Sequence, residues 1–255
     1  MRILEWLQLP ELASLHGATV DAMDEFVHLF MTVLFIGWSI FFLYCCWRFW
    51  HRNNPKADYT GVRSHASSHV EVAVVIVEAI LLIGFAFPFW AQRVAAFPTG
   101  PEVCEVRAVA YQYGWGFHYP GADGKFGRVS TDLYVTDPVG LDREDPNGID
   151  DIVKVGMLQI PKDRPVLVHV TSKDVIHNFS VVPFRVSQDA IPGTEYPLWF
   201  TPTKTGSWDL ICGQLCGAGH GSMRAEVTAV EPGDFDKWLV ENAPQPPAAL
   251  APDEG

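Results

Sequence analysis

"CGQLCGAGHGSM", residues 212–223, sets two cysteines, a histidine and a methionine at steps of four, four and three. Thiolate, imidazole and thioether are soft or borderline donors, and together they favour copper over hard cations. Zinc prefers a closed tetrahedral set and rarely uses Met. The three steps cannot all lie on one helix face, and Gly213, Gly217, Gly219 and Gly221 instead let a loop fold around an ion. A mononuclear blue-copper site takes one Cys, two His and a weak Met, which leaves one thiol over. Two sulfurs can bridge two coppers, but a further imidazole must then come from a separate strand end. "SKDVIHNF" offers His177, 35 residues before Cys212. His169, inside "PVLVHVT", reads as a structural histidine, and His118, after an aromatic strand, as a surface one. The residues alone leave Cys212 and Cys216 open to a disulfide, a metal site or a redox dithiol.

The rest of the composition narrows the class. The chain has 255 residues, enough for one large or two small domains, with 48% hydrophobic residues and a net charge of −12. The acidity argues against nucleic acid as a partner. Five cysteines do not make an even disulfide framework. Residues 1–24 carry Glu5 and Glu11 and lack a basic start followed by an apolar stretch, so they do not read as a cleavable signal peptide.

Two apolar runs come first. Residues 29–47 hold no charge, and residues 72–91 hold only Glu78. Each is close to the roughly 20 residues a helix needs to cross a bilayer. The runs are apolar all round, and Trp38, Trp47, Trp50 and Trp90 add an interfacial belt. A pair of buried core helices is the alternative. Within the connecting loop, 48–71, residues 48–69 carry Arg48, Arg52, Lys56 and Arg63 against Asp58, while the first 25 residues carry Arg2 against five acids. The positive-inside rule places that loop in the cytoplasm and both termini outside. The expected organisation is an external segment 1–24, a transmembrane helix hairpin over 25–97, a β-rich domain over 98–241 and a disordered Pro/Ala-rich tail over 242–255.

After Pro98 short runs of Val, Phe, Tyr and Trp alternate with Gly, Pro and Asp turns. "EVRAVAYQYGWGFHY", "RVSTDLYVT", "IVKVGMLQI", "PVLVHVTS", "HNFSVVPFRV", "PLWFTPT", "GSWDLI" and "SMRAEVTAV" read as strands of an antiparallel sandwich or barrel. Residues 142–151 form an acidic loop, and residues 234–241 a short closing helix. Residues 101–255 hold 22 acids against 12 Lys and Arg, so most of the acidity lies in this part.

With its C-x-x-x-C-x-x-x-H-x-x-M loop and upstream "DVIH", the chain resembles subunit II of the haem–copper cytochrome c oxidases over nearly its whole length. The resemblance implies a two-helix transmembrane hairpin followed by an all-β, cupredoxin-like Greek-key domain that carries a dinuclear copper A centre. Cys212 and Cys216 would bridge the coppers, His177 and His220 would each cap one, and Met223 and the backbone carbonyl of Gln214 would be weak ligands. It further implies a respiratory oxidoreductase and translocase of the cytoplasmic membrane, with the copper domain on the periplasmic side. Electrons would arrive one at a time from a cytochrome c-type donor and pass to haem in catalytic subunit I, where dioxygen becomes water. "DAIPG", from Asp189, resembles the segment facing that subunit, and "YQYGWGF", with Tyr113 and Trp115, the aromatic strand where electrons enter. Glu71 matches the family's Glu at the mouth of a proton pathway. Glu78 stands where the family often has Pro and reads as a structural carboxylate facing protein or water. Cys45 and Cys46 read as helix-packing residues.

Three positions depart from the family pattern. Gln214 replaces a Glu whose side chain holds a magnesium ion at the subunit interface, so that ion loses its anionic ligand here. Tyr113 stands for the usual Trp, and Lys173 for a usual acid. Either a different donor, such as a membrane-held cytochrome, or a tolerant docking surface accommodates the last two. There is no C-x-x-C-H, so no c-type haem is fused to the chain. A Sco-type copper chaperone would place its His after the cysteines. A nitrous oxide reductase would need a large His-rich propeller, and this chain has nine His in all. A quinol oxidase subunit II would lack the ligands.

Overall fold

The computed structural model describes residues 9–56, 59–61 and 64–244. The expected tail therefore lies almost wholly outside the described residues, as do Asp58 and Arg63 of the connecting loop. The chain divides into two compact units. Ala22–Phe97 form one, and in the other the segment ending at Asp21 joins the chain from Pro98 onward.

The first unit is helical. Helix α1 (Gly17–Arg48) contains the apolar run 29–47 and starts well before it. Helix α2 (Ala66–Leu81) continues through a π-helical turn, Leu82–Ala86, into α3 (Phe87–Val94). Pro88 explains the widened turn. It has no N–H to give, and its ring crowds the carbonyl four residues back, at Gly84. Both helical stretches are long and apolar enough to cross a membrane, and their apolar windows are unburied.

The second unit is a β-sandwich. Its first sheet contains β1 (Cys104–Tyr111), β2 (Gly114–Tyr119), β3 (Ile152–Val155), β5 (Val166–Ser172) and β8 (Tyr196–Phe200), in the order β3-β2-β1-β5-β8. The second contains β4 (Met157–Pro161), β6 (His177–Val181), β7 (Val186–Ala190), β9 (Gly206–Cys212) and β10 (Arg224–Val230), in the order β4-β10-β9-β6-β7. Helix α4 (Pro232–Asn242) follows, and its Phe235 is buried. Inward residues of both sheets share one core, among them Val106, Ala108, Phe117, Val168, Phe179, Leu210 and Val227. Burying each large apolar side chain contributes about 1.5–3 kcal/mol. β3 and β4 lie in different sheets with only Gly156 between them. Its N–H donates to Trp115 and its carbonyl accepts from Glu226, so the chain changes sheets at this residue. Gly156 has φ +72, which favours glycine.

The strand expectations hold for most runs and fail in three respects. The sheets are mixed, because β1 pairs with β5 and β10 with β4 in parallel. Long crossovers separate both pairs in sequence, as parallel pairing requires. "RVSTDLYVT" is not a strand. Ser130 caps a 3-10 turn, Thr131–Val135, by accepting from the Asp132 N–H, and this local bonding competes with a sheet ladder. His118 is not at the surface but fully buried. The segment between β2 and β3 folds back over the outer face of the first sheet, where Val139 and Leu141 pack on Val109.

Asp151 anchors that segment. Its buried carboxylate accepts from His118 Nε2, from Gly127 N–H at 2.7 Å and from Gly121 N–H at 2.9 Å. Arg107 Nη1 lies 3.2 Å from His118 Nδ1. A guanidinium can only donate, so Nδ1 accepts and the ring proton sits on Nε2 facing Asp151. Burial pushes the Asp151 carboxyl up, but the hydrogen bonds from His118, Gly127 and Gly121 outweigh it and hold the group below its usual value of 3.8.

The N-terminal segment is part of the sandwich. Ala13 is buried and bonds through its backbone to Pro183 and Thr203, and Leu15 N–H donates to Thr201. Ser14 Oγ donates to the Phe184 carbonyl at 2.7 Å, and Arg185 Nε to Asp21 at 2.7 Å.

Removing the Asp151 charge should destabilise this unit strongly. Asp151→Asn is expected to cost about 1.5–3 kcal/mol, the usual worth of hydrogen bonds to a buried charged group, read by denaturant unfolding. The depressed carboxyl contributes fully above its usual value of 3.8 and loses that contribution as pH falls below it. The wild-type protein should therefore lose stability more steeply than Asp151→Asn over that acid range.

Candidate metal centre

Three strand ends of the second sheet converge on one point. β6 pairs antiparallel with β9 in the register Phe179↔Cys212, which carries His177 past the end of β9 toward the connection that follows. That connection, residues 212–223, closes the antiparallel pair β9–β10, and Cys212 N–H donates to the Met223 carbonyl. A short 3-10 turn, His220–Ser222, completes it.

All six expected donors lie in this arrangement. The Cys212 and Cys216 sulfurs are 3.8 Å apart and both thiols are free. His177 Nδ1 is 3.9 Å from Cys212 Sγ, and His220 Nδ1 is 3.7 Å from Cys216 Sγ. Met223 Sδ is 3.7 Å from Cys216 Sγ. The Gln214 carbonyl accepts from the Cys212 thiol at 3.1 Å. The ligand atoms of His177, Cys212 and Cys216 all lie within 4.8 Å of one another. His177, Cys212, Cys216 and Met223 are buried. Burial, and then the hydrogen bond and charge of Cys212, push the Cys216 thiol up to about 11.

His177 is oriented from behind. Its Nε2 lies 2.8 Å from Asp174 Oδ1. A carboxylate can only accept, so the proton is on Nε2 and the Nδ1 lone pair faces the sulfurs. Burial raises the Asp174 carboxyl, but hydrogen bonds from His177 and from the Gln112 and Val175 N–H groups win and hold it below its usual value. Trp115 walls the ring, with the Trp115–His177 centroids 6.4 Å apart, and packs edge-on against Phe179 at 5.8 Å.

The remaining expected residues are spread more widely. Tyr113 is 44% exposed, whereas Trp115 is fully buried, so of the two only Tyr113 reaches the surface. The Tyr113 ring lies against the metal loop: a Cβ at Gly219 would come within 2.5 Å of it. Asp189 accepts from Asn178 Nδ2 at 2.8 Å, and the Asn178 carbonyl accepts from Gly213 N–H. Gln214 is exposed. Lys173 does not project as a free cation. Its Nζ lies 4.5 Å from the Tyr111 ring centroid and donates to the Tyr134 carbonyl. His169, read as structural, lies between Glu105 and Glu195. Glu71 lines a groove between α1 and α2 with Gly37, Trp38 and Ser67.

The family described as cytochrome c oxidase subunit II, periplasmic domain, matches residues 104–230. The alternative cytochrome c oxidase subunit 2 of Bradyrhizobium diazoefficiens is 35% identical over 210 residues, which cover 81% of this chain and 74% of that protein. Cytochrome c oxidase subunit 2 of Cereibacter sphaeroides is 28% identical over 246 residues, covering 89% of this chain and 77% of that one. The crystal structure of the periplasmic domain of subunit II of cytochrome oxidase of Bradyrhizobium japonicum aligns with a TM-score of 0.42 at 29% identity, over 58% of this chain and 96% of that one. The chain belongs to the cytochrome c oxidase subunit II family. It is a membrane protein with two helices long and apolar enough to span a bilayer and a cupredoxin-like domain.

The contact between Tyr113 and the metal loop gives a paired test. Gly219 has φ −89, so alanine suits the backbone there, but its Cβ would collide with the base of the Tyr113 ring. A Cβ at Gly221 meets nothing within 4 Å. Gly219→Ala should destabilise the metal-free protein by about 1–3 kcal/mol, the usual cost of overpacking, and Gly221→Ala should leave it unchanged in thermal unfolding.

Proposed function

We propose that this chain is the electron-accepting subunit of a terminal oxidase. It takes electrons singly from a cytochrome c-type donor and passes them to a haem-bearing catalytic subunit, where dioxygen is reduced to water. The observation that carries this reading is the convergence of two free thiols, two imidazoles, a thioether and a carbonyl from three strand ends. That donor set fits a dinuclear copper A centre held by Cys212, Cys216, His177, His220, Met223 and the Gln214 carbonyl. When bound, the two coppers would supply one-electron redox chemistry.

The residues of the chain supply the rest. Asp174 holds the His177 ring with Nδ1 turned to the sulfurs. The β6–β9–β10 ladder fixes the spacing of the ligand-bearing ends, so little has to move when the charge of the site changes. Trp115, Phe179 and Met223 exclude water from the inner side. Tyr113, exposed above the loop, is where an electron donor would approach. Asp189 and Gln214 lie on the side that would face the catalytic subunit. Gln214 brings only a neutral side-chain oxygen to any magnesium ion there. Lys173 is already engaged by Tyr111 and Tyr134, which weakens the argument that it repels a basic cytochrome. Glu71 is the candidate for the mouth of a proton path. The basic loop between α1 and α2 supports a cytoplasmic-membrane placement with the β-domain outside.

The test is oxidation of reduced cytochrome c by the assembled oxidase carrying Cys216→Ser. Turnover should fall to background while the variant complex still assembles. A Cys216→Ser complex that oxidises cytochrome c at the wild-type rate would overturn the assignment.

A further inference from the structure

The geometry points to Gln112 as a positioning residue that locks the two ligand-bearing connections to each other. The inference rests on the copper reading above. Gln112 lies in the turn between β1 and β2, in the first sheet, whereas every proposed metal donor comes from the second. Its side-chain Nε2 donates to the Cys216 carbonyl at 2.6 Å. Its backbone N–H donates to Asp174 Oδ2 at 2.7 Å. The other Asp174 oxygen holds His177 Nε2 at 2.8 Å. One residue thus grips the β9–β10 connection directly and the β5–β6 connection through Asp174.

The orientation of the amide follows from its partner. A carbonyl can only accept, so the NH₂ group faces Cys216. Room for this grip comes from Gly217. A Cβ there would lie 2.9 Å from Gln112 Nε2 and 2.6 Å from the Tyr113 hydroxyl, and its φ of +135 favours glycine besides. The aromatic neighbour is therefore not the only reason for this turn to approach the site. Without the amide, Cys216 and His177 would depend on separate connections for their relative position. Two coppers bridged by the thiolates would then no longer share the electron equally.

Gln112 is exposed, so substitution there does not threaten the core. Gln112→Met keeps the bulk and removes the donor, and Gln112→Glu removes it in a second way. The first arm uses the metal-free full-length chain and reads amide hydrogen exchange. Both variants should exchange faster than wild type in residues 213–220, while residues 173–178, still held through the Gln112 main-chain N–H, should change less. Unchanged exchange in residues 213–220 would overturn the clamp. The second arm uses the copper-loaded chain. A chelator should remove copper from both variants about tenfold faster or more, the usual scale for losing an outer-shell contact. Their paramagnetic resonance should also shift from an equally shared to an unequally shared electron. A wild-type spectrum and wild-type copper loss in both variants would refute the role. A wild-type chain that takes up no copper would refute the copper reading instead, and the exchange arm would still decide on Gln112.

Discussion

The pairing of β6 with β9 is the constraint on which the site depends. With Phe179 opposite Cys212, a histidine 35 residues earlier in the chain arrives beside the first cysteine. A one-residue slip would turn every side chain of β6 to the other face and take His177 away from the thiols. The register is held by apolar burial. Phe179 and Val181 face the core on one strand, Leu210 and Cys212 on the other. The same packing that stabilises the sandwich therefore sets the distance between the proposed ligands. The long loop 212–223 contributes chemistry without having to contribute rigidity alone.

The rigidity arrives from the other sheet as well. Tyr113 lies on the loop where Gly217 and Gly219 leave space for it. Gln112 and Asp174 link the ends of two sheets through short hydrogen bonds. The glycines of the metal loop thus serve two purposes. They would allow the chain to turn around an ion, and they let a neighbouring strand connection come close. Loss of either purpose would leave the donor list intact and the site altered.

The proposed donors stand out in the sequence because soft ligands at short spacing are rare and because "DVIH" precedes them. The two helices were legible because an uncharged run of 19 residues has few other uses. Other features depend on partners that are distant in sequence. Nothing near His118 announces that Asp151 and Arg107 will bury it. Gln112 is a neutral polar residue in an aromatic run, and its bond to Cys216 joins positions 104 residues apart. "RVSTDLYVT" has strand-like composition, but its Ser130 and Asp132 bond locally and decide for a 3-10 turn. The parallel pairings of β1 with β5 and β4 with β10 also escape, because alternation reports a buried face and not the direction of the neighbour. The segment before α1 read only as lying outside the membrane, and nothing in it announces that Ala13 and Ser14 are buried against the sandwich. A soluble fragment that starts at Pro98 would lack that segment.

Metal content and paramagnetic resonance of the copper-loaded full-length chain test the centre most directly. Two coppers per chain, with hyperfine structure from one electron shared equally between two copper nuclei, is the expected result. One copper with a mononuclear spectrum, or a Cys212–Cys216 disulfide that excludes metal, would contradict the assignment of this loop as a dinuclear electron relay.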